Sequence, residues 1–267
     1  MATARNLIIS GTGPYLVFLN GTYQTVDTWG AIMKRLNSHY TVVCFNFPGQ
    51  SQDDDSPPCD SFEALCLYAR ACLNELPCAI EEMTLFGLSM GAQIAHALTT
   101  DHGIKFKQVI LAGYMPATMA RFKKTYFATL KKMLNTQGVE AFSNMLCFTV
   151  FSPYLFEKYA GSYEFIANSF RLQYGNRIET LTHLLNLSLD SASWAPTRKA
   201  LSPLTFIYGS HDALVPVKVA SQFAAQSNSP VTFVDEAGHS FPIEAVAATV
   251  STIQAVSNPE FNREAMT

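Results

Sequence analysis

Three residues have side chains and neighbours suited to acyl transfer: Ser89, Asp212 and His239. Ser89 stands in Gly87-Leu88-Ser89-Met90-Gly91, a Gly-x-Ser-x-Gly turn entered through the apolar run Thr84-Leu85-Phe86 and left through a segment of helical apolar spacing, Ala92 onwards. The serine therefore falls where a strand becomes a helix. A residue at so sharp a tip has strained backbone angles, and a side chain at Gly87 or Gly91 would collide across the turn. The helix that follows aims its amino end at the serine, so the Met90 amide is expected to donate to an oxyanion. A serine hydroxyl needs a base to take its proton, and that base needs an acid to fix its tautomer. His239, in the stretch 236–241, and Asp212, in the loop 208–216, each follow an apolar run and supply those two groups.

These side chains come from distant parts of the chain, so a scaffold must bring them together. The runs 6–10, 15–19, 40–45, 84–88, 107–112, 204–208 and 231–234 read as strands, and 27–36, 62–76 and 92–98 as helical segments. Gly11-Thr12-Gly13-Pro14 reads as a tight turn, which predicts a hairpin from the first two strands. Continuous apolar strands alternating with helices predict a mostly parallel sheet covered on both faces. In such a sheet ligands bind beyond the carboxyl ends of the strands. Asn20, Gly21, Thr22, Phe47, Ser89, Tyr114, Asp212 and His239 are expected there. Asp190 is held in reserve as an alternative acid. Asp53-Asp54-Asp55 reads as a solvated turn, because no further carboxylates follow at calcium-loop spacing.

Taken together, Gly11-Thr12-Gly13-Pro14, Asn20-Gly21-Thr22, the Ser89 turn, the segment 209–216 and Gly238-His239 resemble the α/β-hydrolase superfamily of serine esterases, thioesterases and acyltransferases. The resemblance spans nearly the whole chain. It implies the α/β-hydrolase fold with an inserted α-helical cap, a Ser89, His239 and Asp212 triad, and the amides of Thr22 and Met90 as the oxyanion hole. Two places depart from the usual pattern. Asn20-Gly21 stands where the superfamily commonly has His-Gly, and Asn46-Phe47-Pro48-Gly49-Gln50-Ser51 is a shortened form of its second glycine-rich segment. In both, the chain is similar to bacterial acyltransferases that handle 3-hydroxyacyl groups on acyl carrier protein.

Between Pro116 and Asp190 the strand pattern stops, and the chain is helical and crowded with aromatic residues. The expected organisation is therefore a core domain of residues 1–115 and 191–267, with residues 116–190 as the cap. Most of the cap's rings are expected to hold it to itself and to the core. Phe122 and Tyr126 are expected at the substrate with Asn20, Gly21, Phe47, Tyr114 and Phe241. A helix over 121–134 gathers Phe122, Tyr126, Phe127, Leu130, Met133 and Leu134 on one side and Arg121, Lys124, Lys131 and Lys132 on the other. No acidic residue occurs from Gly103 to Val139, so this basic face is a candidate dock for acyl carrier protein or for coenzyme A phosphates.

With 267 residues, 48% of them hydrophobic, the chain can bury a full core as one domain carrying an insertion. The net charge of -3 supplies no global field for nucleic acid or an anionic membrane. The amino terminus shows no apolar signal region and no long apolar span follows, which predicts a cytoplasmic protein. The six cysteines match no Cys-x-x-Cys pair and are expected to be reduced, a disulfide among Cys59, Cys66, Cys72 and Cys78 being the alternative. No metal or organic cofactor is implied. The reading is a serine hydrolase for an ester or thioester of an apolar acyl chain. An acyltransferase with the same triad and a non-catalytic receptor of the same fold stay open.

Overall fold

The computed structural model describes residues 7–52 and 58–257, so the Asp53 to Asp55 turn lies outside the described residues. The strands are β1 (Ile8–Ser10), β2 (Tyr15–Leu19), β3 (Thr41–Phe45), β4 (Thr84–Leu88), β5 (Gln108–Ala112), β6 (Leu204–Gly209) and β7 (Val231–Val234). They form one sheet in the order β1-β3-β2-β4-β5-β6-β7. Every pairing is parallel except β1 with β3. Side chains alternate between the two faces with the two-residue period of a pleated strand. Leu16, Phe18, Val42, Phe86 and Ile110 pack on one side, and Val17, Leu19, Val43, Leu85 and Val109 on the other. Both faces are buried, which is why the strands are apolar throughout.

The first face is covered by α1 (Gly30–Leu36) and α10 (Val246–Ser257), and the second by α2 (Phe62–Asn74), α3 (Met90–Thr99) and α8 (Val217–Gln226). The predicted hairpin is not present. β1 runs antiparallel to β3, with Ile9 opposite Val43, while β2 lies on the far side of β3 in parallel. The Gly11 to Pro14 turn is held against the entry to β3: the Thr12 amide donates to Asn37 O at 3.2 Å and the Thr41 amide to Pro14 O at 3.0 Å. Those bonds carry the chain past the end of β3 instead of folding β2 back on β1.

Four helices stand between β5 and β6: α4 (Ala120–Val150), α5 (Pro153–Lys158), α6 (Ser162–Tyr174) and α7 (Ile178–Ser191). Helix α4 packs on α6 and α7, and α7 reaches down to α2 and α3. The expected faces of α4 need one correction, at Phe122, and Lys123, placed on neither face, is buried. Phe122 is 42% exposed and stacks on Tyr126, whereas Lys123 is 1% exposed and its Nζ donates to Met115 O at 3.4 Å. Lysine's long stem can lie along apolar surface while its amine finds a carbonyl, which residue type alone does not reveal. All six cysteines are free. No helix among the described residues is long and apolar enough to cross a membrane.

His96, on α3, is a packing residue. Its Nδ1 lies 2.9 Å from the Tyr114 hydroxyl, and its ring meets Trp194 edge-on. Burial pulls its pKa down from 6.5 to about 4, against the opposing pull of Asp101. An unfolded chain therefore binds a proton here at a higher pH than the folded one does, and stability is lost as pH falls from about 6.5 towards 4. The loss should approach about 3 kcal/mol, and urea unfolding across that range should show it flattened in His96→Phe relative to wild type.

Helix α4 is broken at Gly138, with φ 83° and ψ -176°. No described residue lies within 4 Å of a Cβ placed there, so backbone strain is what opposes a side chain. In an unbroken helix a glycine-to-alanine change stabilises by about 1 kcal/mol. Here Gly138→Ala should destabilise by about 1 to 3 kcal/mol in the same unfolding assay, and a gain in stability would show that the fold does not require the break.

Candidate active site

Ser89 sits between β4 and α3 with φ 54° and ψ -108°, a backbone state costly for any residue with a side chain. Close packing enforces it. A Cβ on Gly87 would lie 2.3 Å from Gly91 O, and one on Gly91 would lie 2.2 Å from Leu19 O. The turn is thus pressed into the end of β2, where any larger residue would push the serine away. The Ser89 amide donates to Ala112 O at 2.8 Å, which ties the tip to β5.

Asp212 and His239 are brought together from the loops after β6 and β7. Asp212 Oδ2 is 2.8 Å from His239 Nδ1, and both side chains are buried. Asp212 Oδ1 accepts from the amides of Leu214 and Val215 at 2.8 and 2.9 Å. Both oxygens of the carboxylate are thereby held, which fixes its plane and the proton-bearing nitrogen of His239. The ring lies against Gly113 at the end of β5, where a Cβ would approach His239 Cε1 to 2.9 Å. His239 Nε2, buried, has no hydrogen-bond partner among the described residues.

Ser89 and His239 line a common cavity of about 500 Å³ with Thr22, Tyr126, Leu146 and Phe170. Its walls are largely apolar, drawn from the ends of the central strands and from α4 and α6. Tyr126 has its phenol raised to about 12, first by burial and further by Asp212, against a lowering contact with Thr149. Gly21 also lines the cavity, and neither the Thr22 nor the Met90 amide donates to another described residue. Met90 itself is not among the lining side chains.

Five residues expected at the substrate lie elsewhere. Asn20 is fully buried beneath the cavity floor: its Nδ2 donates to Phe45 O, Asn46 Oδ1 and Gln50 Oε1, and its Oδ1 accepts from Trp29 Nε1 at 2.6 Å. Phe47 packs on Phe45 and Tyr68, and Tyr114 points its hydroxyl to His96. Phe241 belongs to the core beneath α10, and Phe122 is on the outer surface. Asp190 accepts from the Phe62 amide at 2.8 Å, capping α2 rather than approaching His239. His183 bonds Cys59 O, and His211 is held by Ser210 and the Tyr154 ring.

Gln24 and Gln50 are supporting residues that sequence reasoning missed. Gln24 Oε1 accepts from the Gly21 amide at 2.7 Å, and Gln50 Nε2 donates to Gly21 O at 2.8 Å and Thr22 O at 3.2 Å. With Asn20 they hold the turn that carries the Thr22 amide. Gln50's place in a glycine-flanked turn was a faint signal of this role, and Gln24 offered none.

A family model described as alpha/beta hydrolase fold matches residues 14–246. The chain is 27% identical over 241 residues to a pimeloyl-[acyl-carrier protein] methyl ester esterase of Pseudoalteromonas atlantica, covering 86% of this chain and 88% of that one. It is also 29% identical over 102 residues to a fluoroacetate dehalogenase of a Burkholderia species, covering 36% of this chain and 33% of that one. Among solved structures, a thermophilic esterase from Thermogutta terrifontis superposes with a TM-score of 0.75 at 17% identity, covering 98% and 93% of the two chains. An enol-lactonase from Burkholderia xenovorans does so with a TM-score of 0.71 at 18% identity, covering 93% and 94%. With that match extending from the turn before β2 to the start of α10, the chain belongs to the alpha/beta hydrolase family and is an enzyme of the hydrolase type.

Proposed function

We propose that the protein is a serine hydrolase that cleaves an ester or thioester of an apolar acyl chain. The observation that carries this reading is the Asp212 to His239 bond at 2.8 Å, with the free face of the imidazole and the strained Ser89 turned to one apolar cavity. Ser89 Oγ attacks the acyl carbonyl carbon while His239 Nε2 takes the hydroxyl proton, and Asp212 stabilises the imidazolium that forms. The carbonyl oxygen becomes an oxyanion held by the amides of Thr22 and Met90, each worth on the order of 3 kcal/mol of barrier. Collapse of this intermediate breaks the bond to the leaving alcohol or thiol, which receives the proton from His239. Water, deprotonated by the same imidazole, then attacks the acyl-enzyme and regenerates Ser89. Residues 116–190 act as a cap whose rings wrap the acyl chain, with Tyr126 in the wall and Gly21 at the floor.

The chain's likeness to an esterase of a carrier-linked substrate favours a thioester or ester delivered on acyl carrier protein. Arg121, Lys124 and Lys132 are exposed on α4 and suit an acidic carrier, while Lys131 is engaged with Asn186 Oδ1 at 2.8 Å.

Ser89→Ala should abolish turnover of short p-nitrophenyl esters and labelling by a fluorophosphonate, and Asp212→Asn should lower kcat by about 10⁴-fold while leaving the fold intact. An adduct that persists in water and clears on adding an alcohol acceptor would make the protein a transferase. Absence of any adduct on folded wild type would favour a receptor. Charge reversal at Arg121, Lys124 and Lys132 should slow carrier-linked substrates several-fold at low salt and leave small esters unchanged. Equal effects on both substrates would end the docking idea.

A further inference from the structure

The loop carrying His239 is fastened to the helical insertion as well as to the sheet. The Ser240 amide donates to Val150 O at 2.7 Å, and Ser152 Oγ donates to Glu236 O at 2.8 Å. Between these two bonds lies Glu244, in the short helix α9 (Phe241–Glu244). Its Oε1 accepts from the Gly238 amide and its Oε2 from the Ser152 amide, both at 2.9 Å. One carboxylate therefore bridges the residue immediately before His239 and the turn where α4 gives way to α5. The two backbones touch: a Cβ on Gly238 would lie 2.7 Å from Ser152 N and 2.8 Å from Phe151 C.

Burial raises the pKa of Glu244, and Asp212 raises it further, while the bonds from Ser152 and Gly238 pull it down. Ionisation at this place is thus opposed on balance, so the charge weakens the folded state rather than strengthening it. What a carboxylate offers here is geometric. It accepts on both oxygens at once, whereas an amide has one acceptor and would turn donors towards a second N–H.

We infer that Glu244 is a positioning residue for His239, clamping Gly238 to Ser152 so that the imidazole is held in working register while the 150–152 segment of the insertion is seated. This rests on the hydrolase reading above, because it assigns Glu244 a part in the same site. Any movement that lifts 150–152 removes one end of the clamp and loosens the loop on which the base is carried. The insertion thereby controls the reacting groups as well as the cavity wall.

The test compares Glu244→Gln and Glu244→Ala with wild type, each confirmed as folded by circular dichroism. On a short p-nitrophenyl ester, kcat should fall about 10- to 100-fold with KM changed less than about twofold, and the glutamine variant should retain more activity than alanine. In proton NMR, the downfield Nδ1–H resonance of His239, assigned by its loss in His239→Gln, should shift or broaden in both variants. Unchanged kcat with an unaltered resonance would overturn the proposal, as would a lowered melting temperature with kcat and resonance preserved. If folded wild type neither turns over esters nor reacts with a fluorophosphonate, the hydrolase reading fails by itself, and the His239 resonance in the variants still decides whether Glu244 positions the ring.

Discussion

The contact between Gly91 and the end of β2, where even one methyl group would meet Leu19 O, is the constraint on which the site depends. It draws the first turn of α3 onto the central strands and leaves Ser89 no relaxed backbone conformation. Strain of about 1 to 3 kcal/mol at one residue persists because the surrounding packing over-determines it. The sheet order follows the same logic. β4 lies between β2 and β5, so the serine tip is flanked by the Gly21 to Thr22 turn on one side and by Gly113, against which the His239 ring rests, on the other.

Around that point the polar groups are arranged in two tiers. The groups placed for chemistry are left open: Ser89 and His239 line the cavity among polar residues such as Thr25, Asp27 and Gln173, and neither His239 Nε2 nor the Thr22 amide bonds to a described residue. Behind them the polar groups are tightly satisfied. Asn20 alone engages Phe45, Asn46, Gln50 and Trp29, and Asp212 holds two amides besides His239. Fully connected polar networks rigidify because each bond restricts the geometry of the next. The incomplete tier can thus remain directed at a ligand while the complete tier bears the cost of holding it.

The insertion enters this arrangement at several places, among them the cavity wall, the His239 loop and the Thr22 turn, where Thr22 Oγ1 lies 3.2 Å from Ser188 Oγ. Its rings, Tyr126 and Phe170 among them, wall the cavity, and its 150–152 turn bonds to the His239 loop. Tyr23, on the loop after β2, meets Phe142 and Phe170 edge-on, so the core also reaches into the insertion. A change in its packing therefore alters the shape of the site and the placing of its histidine together.

The Ser89 turn, the positions of strands β2 to β7 along the chain and the loops bearing Asp212 and His239 were legible because each is written locally. Apolar period, glycine spacing and a polar residue after a buried strand act over a few positions, and backbone sterics make them nearly independent of context. The β1 pairing, the burial of Lys123, the exposure of Phe122 and the true place of Asn20 were not legible, and the same reason runs in reverse. All but the exposure of Phe122 depend on groups 8 to 36 positions away, such as Met115 O for Lys123, Cys44 for Ile8 and Gln50 for Asn20. Glu244 is the extreme case, reaching Ser152 across 92 positions. Sequence determined which residues were suited to chemistry and where the strands would place them. Tertiary structure alone decided which polar groups face the cavity and which stand behind it, because a side chain's role depends on the partners that packing delivers.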